Sequence, residues 1–207
     1  MKPRILVLGH YPLDQLDRAP KVRTYRMIEA LAHYAWVTVI TGARPVRGAV
    51  LRKSLRLLDQ IDAIYLESGS STATFTDCWF LYQAHRRAIP LGIFVRDAYQ
   101  LFPDLYPPDG IKGRVLSLLY KISLRCYALS ATVIFVPTAG LAQVVPGSRK
   151  VLLPPGGIRE RKVVKPPRFA HRIIYVGAAG PHDGVEMLVA AFELVKATVP
   201  DAELWLV

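Results

Sequence analysis

Short apolar runs alternate with amphipathic stretches along most of the 207 residues. Residues 4–9 (RILVLG) form a continuous apolar run closed by glycine, the pattern of a strand buried on both faces of a parallel sheet. Runs at 36–41, 63–67, 91–96, 132–136 and 151–153 read as further strands. Residues 21–34, 49–60, 76–88 and 112–130 between them carry helical spacing. In the first of these, Val22, Tyr25, Ile28, Leu31 and Ala35 share one face, with Arg23, Arg26 and His33 largely opposite. In the second, Leu51, Leu55 and Leu58 line one side. Strand and helix recur every roughly 25–30 residues, which predicts an α/β fold: a Rossmann-like, doubly wound parallel sheet.

The periodicity lapses at residues 156–170 (GGIRERKVVKPPRFA), which read as a linker. It restarts with a strand in 171–177, a helix over 184–198 and a strand over 202–207. Met187, Leu188, Ala191, Phe192 and Val195 mark the expected buried face of that helix. The chain therefore divides into a Rossmann-like domain at 1–155, the linker, and the start of a second, incomplete α/β domain at 171–207. One βαβ unit cannot cover both faces of its sheet. The expectation is a fragment, a truncated gene product or one half of a split protein. The alternative is that the last strands join the first sheet.

Composition excludes disorder, since 52% of the residues are hydrophobic. The two cysteines, Cys78 and Cys126, lie in helical patterns without a CxxC or a nearby His pair. That argues against a disulfide framework or structural zinc and for a reducing, cytoplasmic setting. Residues 126–148 carry no charge or histidine and are long enough to span a bilayer. Pro137 and Gly140 interrupt them, so they read as a helix end, a strand and a short helix. The net charge of +11 is uneven: +7 over 1–60, −3 over 61–110, +6 over 111–150, +5 over 151–172 and −4 over 173–207. Such a surface attracts polyanions, or is an ordinary solvated one. No RNP or helix-turn-helix signal accompanies it, so nucleic acid is not the expected partner.

Ligands of such sheets bind beyond the carboxyl ends of the strands, and three segments fall there. Gly9 and His10 follow the first strand, with Arg18, Lys21 and Arg23 near the next helix start. These cations can hold a phosphate, or form an exposed basic helix face. Asp97 follows Arg96 at the mouth of the fourth strand, where it can accept from a hydroxyl or cap a helix. The turn at 177–184 (GAAGPHDG) can hold a phosphate on its amides, or simply turn. GxGxxG, P-loop, HExxH and GxSxG motifs are all missing.

These segments, in this order, resemble GT-B glycosyltransferases, most closely glycosyltransferase family 4. The carriers are residues 4–42, IFVRDAYQLFPD at 93–104, VIFVPTAGLAQVV with KVLLPPGG at 133–157, and the stretch from YVGAAGPHDG at 175–184 to Val207. The resemblance implies transfer of a sugar from a nucleotide-sugar, with no cofactor and no active-site metal. The acceptor is a glycan or lipid-linked molecule, bound by the first domain. It implies Asp97 beside the transferred sugar, acceptor contacts from Gly9, His10, Arg18, Lys21 and Arg23, and donor diphosphate at Gly177, Gly180, His182 and Gly184.

Departures from the family pattern are Ala178 and Asp183, where many members hold diphosphate with Arg and Lys, and Pro155 in place of Asn. The E-x7-E motif of the family would fall beyond Val207. Little activity is therefore expected of the chain alone, and a second chain is an expected partner. The alternatives are a non-catalytic interaction module or inactive relic, and a nucleic-acid or unrelated nucleotide-binding Rossmann-like protein. Residues 112–125 set four cations among Val115, Leu116, Leu118, Leu119, Ile122 and Leu124. They read as a contact to an anionic inner membrane surface, or as a core-packing helix.

Overall fold

The computed structural model describes residues 2–70, 72–156, 171–177 and 183–207. It divides into two compact units after Gly156. In the first, six strands form one parallel sheet: β1 (Arg4–Gly9), β2 (Trp36–Thr41), β3 (Ala63–Ser68), β4 (Leu91–Val95), β5 (Val133–Val136) and β6 (Lys150–Leu152). Their spatial order is β2-β1-β3-β4-β5-β6. The helices are α1 (Ala19–Ala32), α2 (Arg44–Lys53), α3 (Phe75–Arg86), α4 (Gly110–Ser130) and α5 (Ala139–Val144). This is the Rossmann-like, doubly wound parallel sheet expected of the alternating pattern.

The apolar runs fill the centre of the sheet. Leu6, Leu8, Ile64, Leu66, Leu91, Ile93 and Val95 pack on one face against Leu51 of α2, Phe80 and Leu81 of α3 and Tyr120, Leu124 and Tyr127 of α4. On the other face Val7, Tyr65 and Phe94 meet Met27, Ile28 and Leu31 of α1. Residues 126–148 resolve into the end of α4, β5 and α5, and among the described residues no helix is long and apolar enough to cross a membrane.

Two helices differ from their sequence pattern. The helix expected over 49–60 begins at Arg44, with Pro45 in its first turn, and gives way at Ser54 to a 3-10 segment running to Gln60. Proline suits that first turn, because its missing N–H would be unpaired there in any case. In α1 the apolar periodicity misplaces the N-terminal face. Val22 and Tyr25 are each 37% exposed, whereas Thr24 is buried and Arg23 turns inward. A buried carboxylate, Glu67, draws that helix end round.

The second unit pairs β7 (Arg172–Tyr175) in parallel with β8 (Glu203–Leu206), with α6 (Val185–Thr198) between them in sequence. These strands form their own two-stranded sheet. The buried face expected of α6 is not realised: Met187 is 75% exposed and Val195 40%, and Leu188 and Phe192 are only half-buried. One helix and two strands offer too little surface to enclose them.

Candidate functional site

The strand order reverses at β1 and β3, since the chain moves from β1 to β2 on one side and to β3 on the other. The carboxyl ends of strands at such a reversal leave a crevice between diverging connections. Here the residues after β1, β3 and β4 meet. His10, after β1, accepts a hydrogen bond at Nδ1 from the Gly69 N–H after β3 (3.2 Å). Tyr11 packs so closely on Gly69 that a Cβ there would lie 2.8 Å from the phenol oxygen. Arg96, after β4, stands over the Tyr11 ring at 6.0 Å.

Arg96 donates from Nε to Asp97 Oδ2 and from Nη2 to Ser70 Oγ, each at 2.8 Å. Gln100 donates through Nε2 to the Ser70 carbonyl (3.3 Å), and Tyr120 of α4 donates to the Asp97 carbonyl (2.6 Å). The cluster is incomplete. Arg96 Nη1, Asp97 Oδ1 and Gln100 Oε1 are shut off from solvent and have no hydrogen-bond partner among the described residues. An unpaired buried polar atom costs about 1–3 kcal/mol, so three together are unusual. Burial disfavours the Arg96 charge, but bonding to Asp97 and the neighbouring Tyr11 raise its pKa overall.

A second polar group occupies the α1 face. Glu67 of β3 accepts from Arg23 Nε (2.9 Å) and from Tyr65 Oη (2.6 Å), while the Arg23 guanidinium lies 3.7 Å over Phe94. Burial raises the Glu67 pKa, although both bonds pull the other way. Burial and the Glu67 charge likewise raise that of Tyr65. Arg23 Nη2 has no partner among the described residues.

The expected site residues separate in this frame. Asp97 belongs to the incomplete cluster. Gly9 ends β1, its backbone close to Thr41 and Thr24. His10 is 7% exposed and walls a space of about 10 Å³ with Arg47 and Asp77, room for one water at most. Burial and the Arg47 charge pull its pKa from 6.5 down to about 4, so the ring is neutral, with its proton on Nε2. Arg23 is committed to Glu67, Lys21 pairs with Asp17 at 2.9 Å, and Arg18 is exposed at the start of α1. In the second unit Gly177 donates its N–H to the Val207 carbonyl, and Gly184 caps α6 at φ 72°, a left-handed conformation suited to glycine. Gly180 and His182 lie outside the described residues.

Sequence reasoning passed over Ser70, Gln100, Glu67 and the Arg47–Asp77 pair. Two of these carry a signal: Glu67, as a carboxylate closing an apolar run, and Asp77, three residues after Thr74 at a helix start. Among the described residues no group of His, Cys, Asp and Glu is arranged to hold a metal ion.

Fold and site define a Rossmann-like α/β unit with an unsaturated polar cluster at its switch point. No family model matches the chain, and no curated protein matches it. Among solved structures, it is similar to a carbohydrate transporter from Acidothermus cellulolyticus 11B in complex with myo-inositol. The alignment covers 73% of this chain and 74% of that one, at 10% identity and a TM-score of 0.34. A likeness of that degree bears on neither ligand nor chemistry.

Proposed function

We propose that the chain is the acceptor-binding half, with the start of the donor-binding half, of a GT-B glycosyltransferase. Such an enzyme moves a sugar from a nucleotide-sugar to a hydroxyl of a glycan or lipid-linked acceptor. The bond from the anomeric carbon to the diphosphate oxygen breaks, a bond to the acceptor oxygen forms, and the hydroxyl proton passes to the departing nucleoside diphosphate. The observation that carries this reading is the mixture of unpaired atoms: two acceptors, Asp97 Oδ1 and Gln100 Oε1, and one donor, Arg96 Nη1. A phosphate offers no donor to the two acceptors. Neighbouring sugar hydroxyls both donate and accept, and so suit all three. In this reading Asp97 Oδ1 accepts from the acceptor hydroxyl, and a small turn of the side chains admits the ligand.

The test is calorimetric titration of the 207-residue chain with neutral glycosides. Binding that Asp97→Ala weakens at least tenfold supports the reading. No saccharide binding, or binding indifferent to Asp97→Ala, overturns it.

The first half of α4 supports a membrane-surface location for this activity. Ile111 (82% exposed) and Leu118 (59%) lie open beside Lys112, Arg114 and Lys121. Apolar side chains flanked by cations suit an anionic lipid surface. Sedimentation with phosphatidylglycerol vesicles should carry the chain down at low salt, and Ile111→Asp with Leu118→Asp should leave it in solution. Failure of the unaltered chain to sediment even at low salt removes the membrane from the proposal.

A further inference from the structure

Beside the Arg96–Asp97 cluster, the loop after β4 and the first half of α4 enclose a pocket of about 220 Å³. Its walls include Tyr99, Gln100, Pro103, Tyr106, Leu116 and Ser117. The two tyrosine rings meet edge to face, with centroids 4.9 Å apart and planes at 66°. Among the described residues no Lys, Arg, Asp or Glu lines it. The volume falls below the roughly 300–1,000 Å³ of drug-sized sites, so it admits one ring rather than an extended ligand.

Gln100 belongs to both places. Its Nε2 donates to the carbonyl of Ser70, whose hydroxyl receives Arg96, while the main-chain carbonyl of Gln100 accepts from Ser117 Oγ (3.4 Å). Its Oε1, shut off from solvent, has no partner among the described residues. That oxygen has two lone pairs, so one can serve the ring at Asp97 while a turn of the carboxamide offers the other to a hydroxyl donor in the pocket.

We infer that this pocket is a second saccharide subsite, holding one neutral sugar ring of the acceptor next to the ring that Asp97 reads. The inference rests on the transferase reading and adds a substrate class: an oligosaccharide or extended glycoside rather than a free monosaccharide. Aromatic faces suit the C–H faces of a pyranose. The Gln100 and Ser117 polar groups suit its hydroxyls, and the uncharged walls disfavour a phosphate or carboxylate ligand.

The experiment titrates the 207-residue chain with methyl glycosides of glucose, mannose, galactose and N-acetylglucosamine, each against the 1,4-linked disaccharide ending in the same sugar. At least one disaccharide should bind about tenfold tighter than its monosaccharide. Tyr106→Ala and Tyr99→Ala should bring that ratio to about one, and Tyr106→Trp should keep it. Both tyrosines are more than a third exposed, and thermal melts confirm that the variants fold. If glycosides bind and respond to Asp97→Ala, yet disaccharides gain nothing or Tyr106→Ala leaves the ratio intact, this inference fails alone. If no saccharide binds, the transferase reading fails and takes this one with it.

Discussion

Two of the Arg–Asp pairs in the first unit, Arg47–Asp77 and Arg96–Asp97, are built to different standards. Arg47 grips Asp77 with both ends of its fork, Nε to Oδ1 and Nη2 to Oδ2, each at 2.9 Å, and its Nη1 donates to the Gly42 carbonyl at 2.8 Å. Thr74 adds its N–H and its hydroxyl to Asp77 Oδ2. Every nitrogen and oxygen of that pair is used. Arg96 and Asp97 share one bond, and each keeps an atom with no partner among the described residues. Arg47 is 2% exposed, whereas the Arg96 side chain keeps 24%. A saturated buried pair ties α2 to α3 and has nothing left to offer a ligand. An unsaturated pair at a strand mouth is weaker as a brace and better prepared to bind.

The sharpest way to break the comparison is to remove one carboxylate from each pair. Asp77→Ala strands a buried guanidinium and should destabilise by about 3–5 kcal/mol in urea denaturation. Replacing Arg47 with Met and Asp77 with Leu together should recover much of that loss, because apolar side chains of similar size need no partner. Asp97→Ala should stay within about 1 kcal/mol, since its partner remains partly solvated. Equal losses at both aspartates would erase the distinction.

A pH series sharpens it next. His10 borders the saturated pair, and its pKa is pulled from 6.5 to about 4 by burial and the Arg47 charge. The unfolded chain therefore binds a proton between those values and the folded chain does not. Stability from this source is complete above pH 6.5 and is lost as pH falls toward 4, by about 3 kcal/mol. His10→Asn, whose side-chain oxygen can still accept from Gly69, should flatten that limb. Glu67 works with the opposite sign. Its folded pKa is raised above 4.5, so its contribution is lost as pH rises through the folded value, and a slope of that sign should remain in the variant. An unchanged acid limb in His10→Asn would show that His10 is not buried neutral.

Much of this frame is legible in the sequence. Runs such as LGIFV and AIYLES are apolar because both faces of a central parallel strand are covered, and Thr74 with Asp77 spells a capping box ahead of α3. Asp97 stands out because a carboxylate follows such a run. Gln100 and Ser70 are ordinary loop residues, and only the β3–β4 pairing brings their segments together. Arg23 reads as one of a set of helix-face cations and nothing in the sequence marks Arg47, because their partners lie 44 and 30 residues away. The apolar face of α6 was legible as a pattern, yet a pattern cannot supply the layer that would cover it.

The smallest test concerns the hydroxyls beside each pair. Thr74 Oγ1 donates to Asp77 and accepts the Asp77 N–H at 3.2 Å, closing the first turn of α3. Thr74→Ala should cost about 1 kcal/mol, and Thr74→Ser should restore most of it, because serine caps as well as threonine. Among the described residues Ser70 Oγ only receives Arg96 Nη2, so Ser70→Ala should move stability by less than about 0.5 kcal/mol. The same change lets the Arg96 fork swing and should weaken glycoside binding severalfold. A Ser70→Ala loss as large as that of Thr74→Ala, with glycoside affinity unchanged, would make the Arg96–Asp97 cluster a brace like the other.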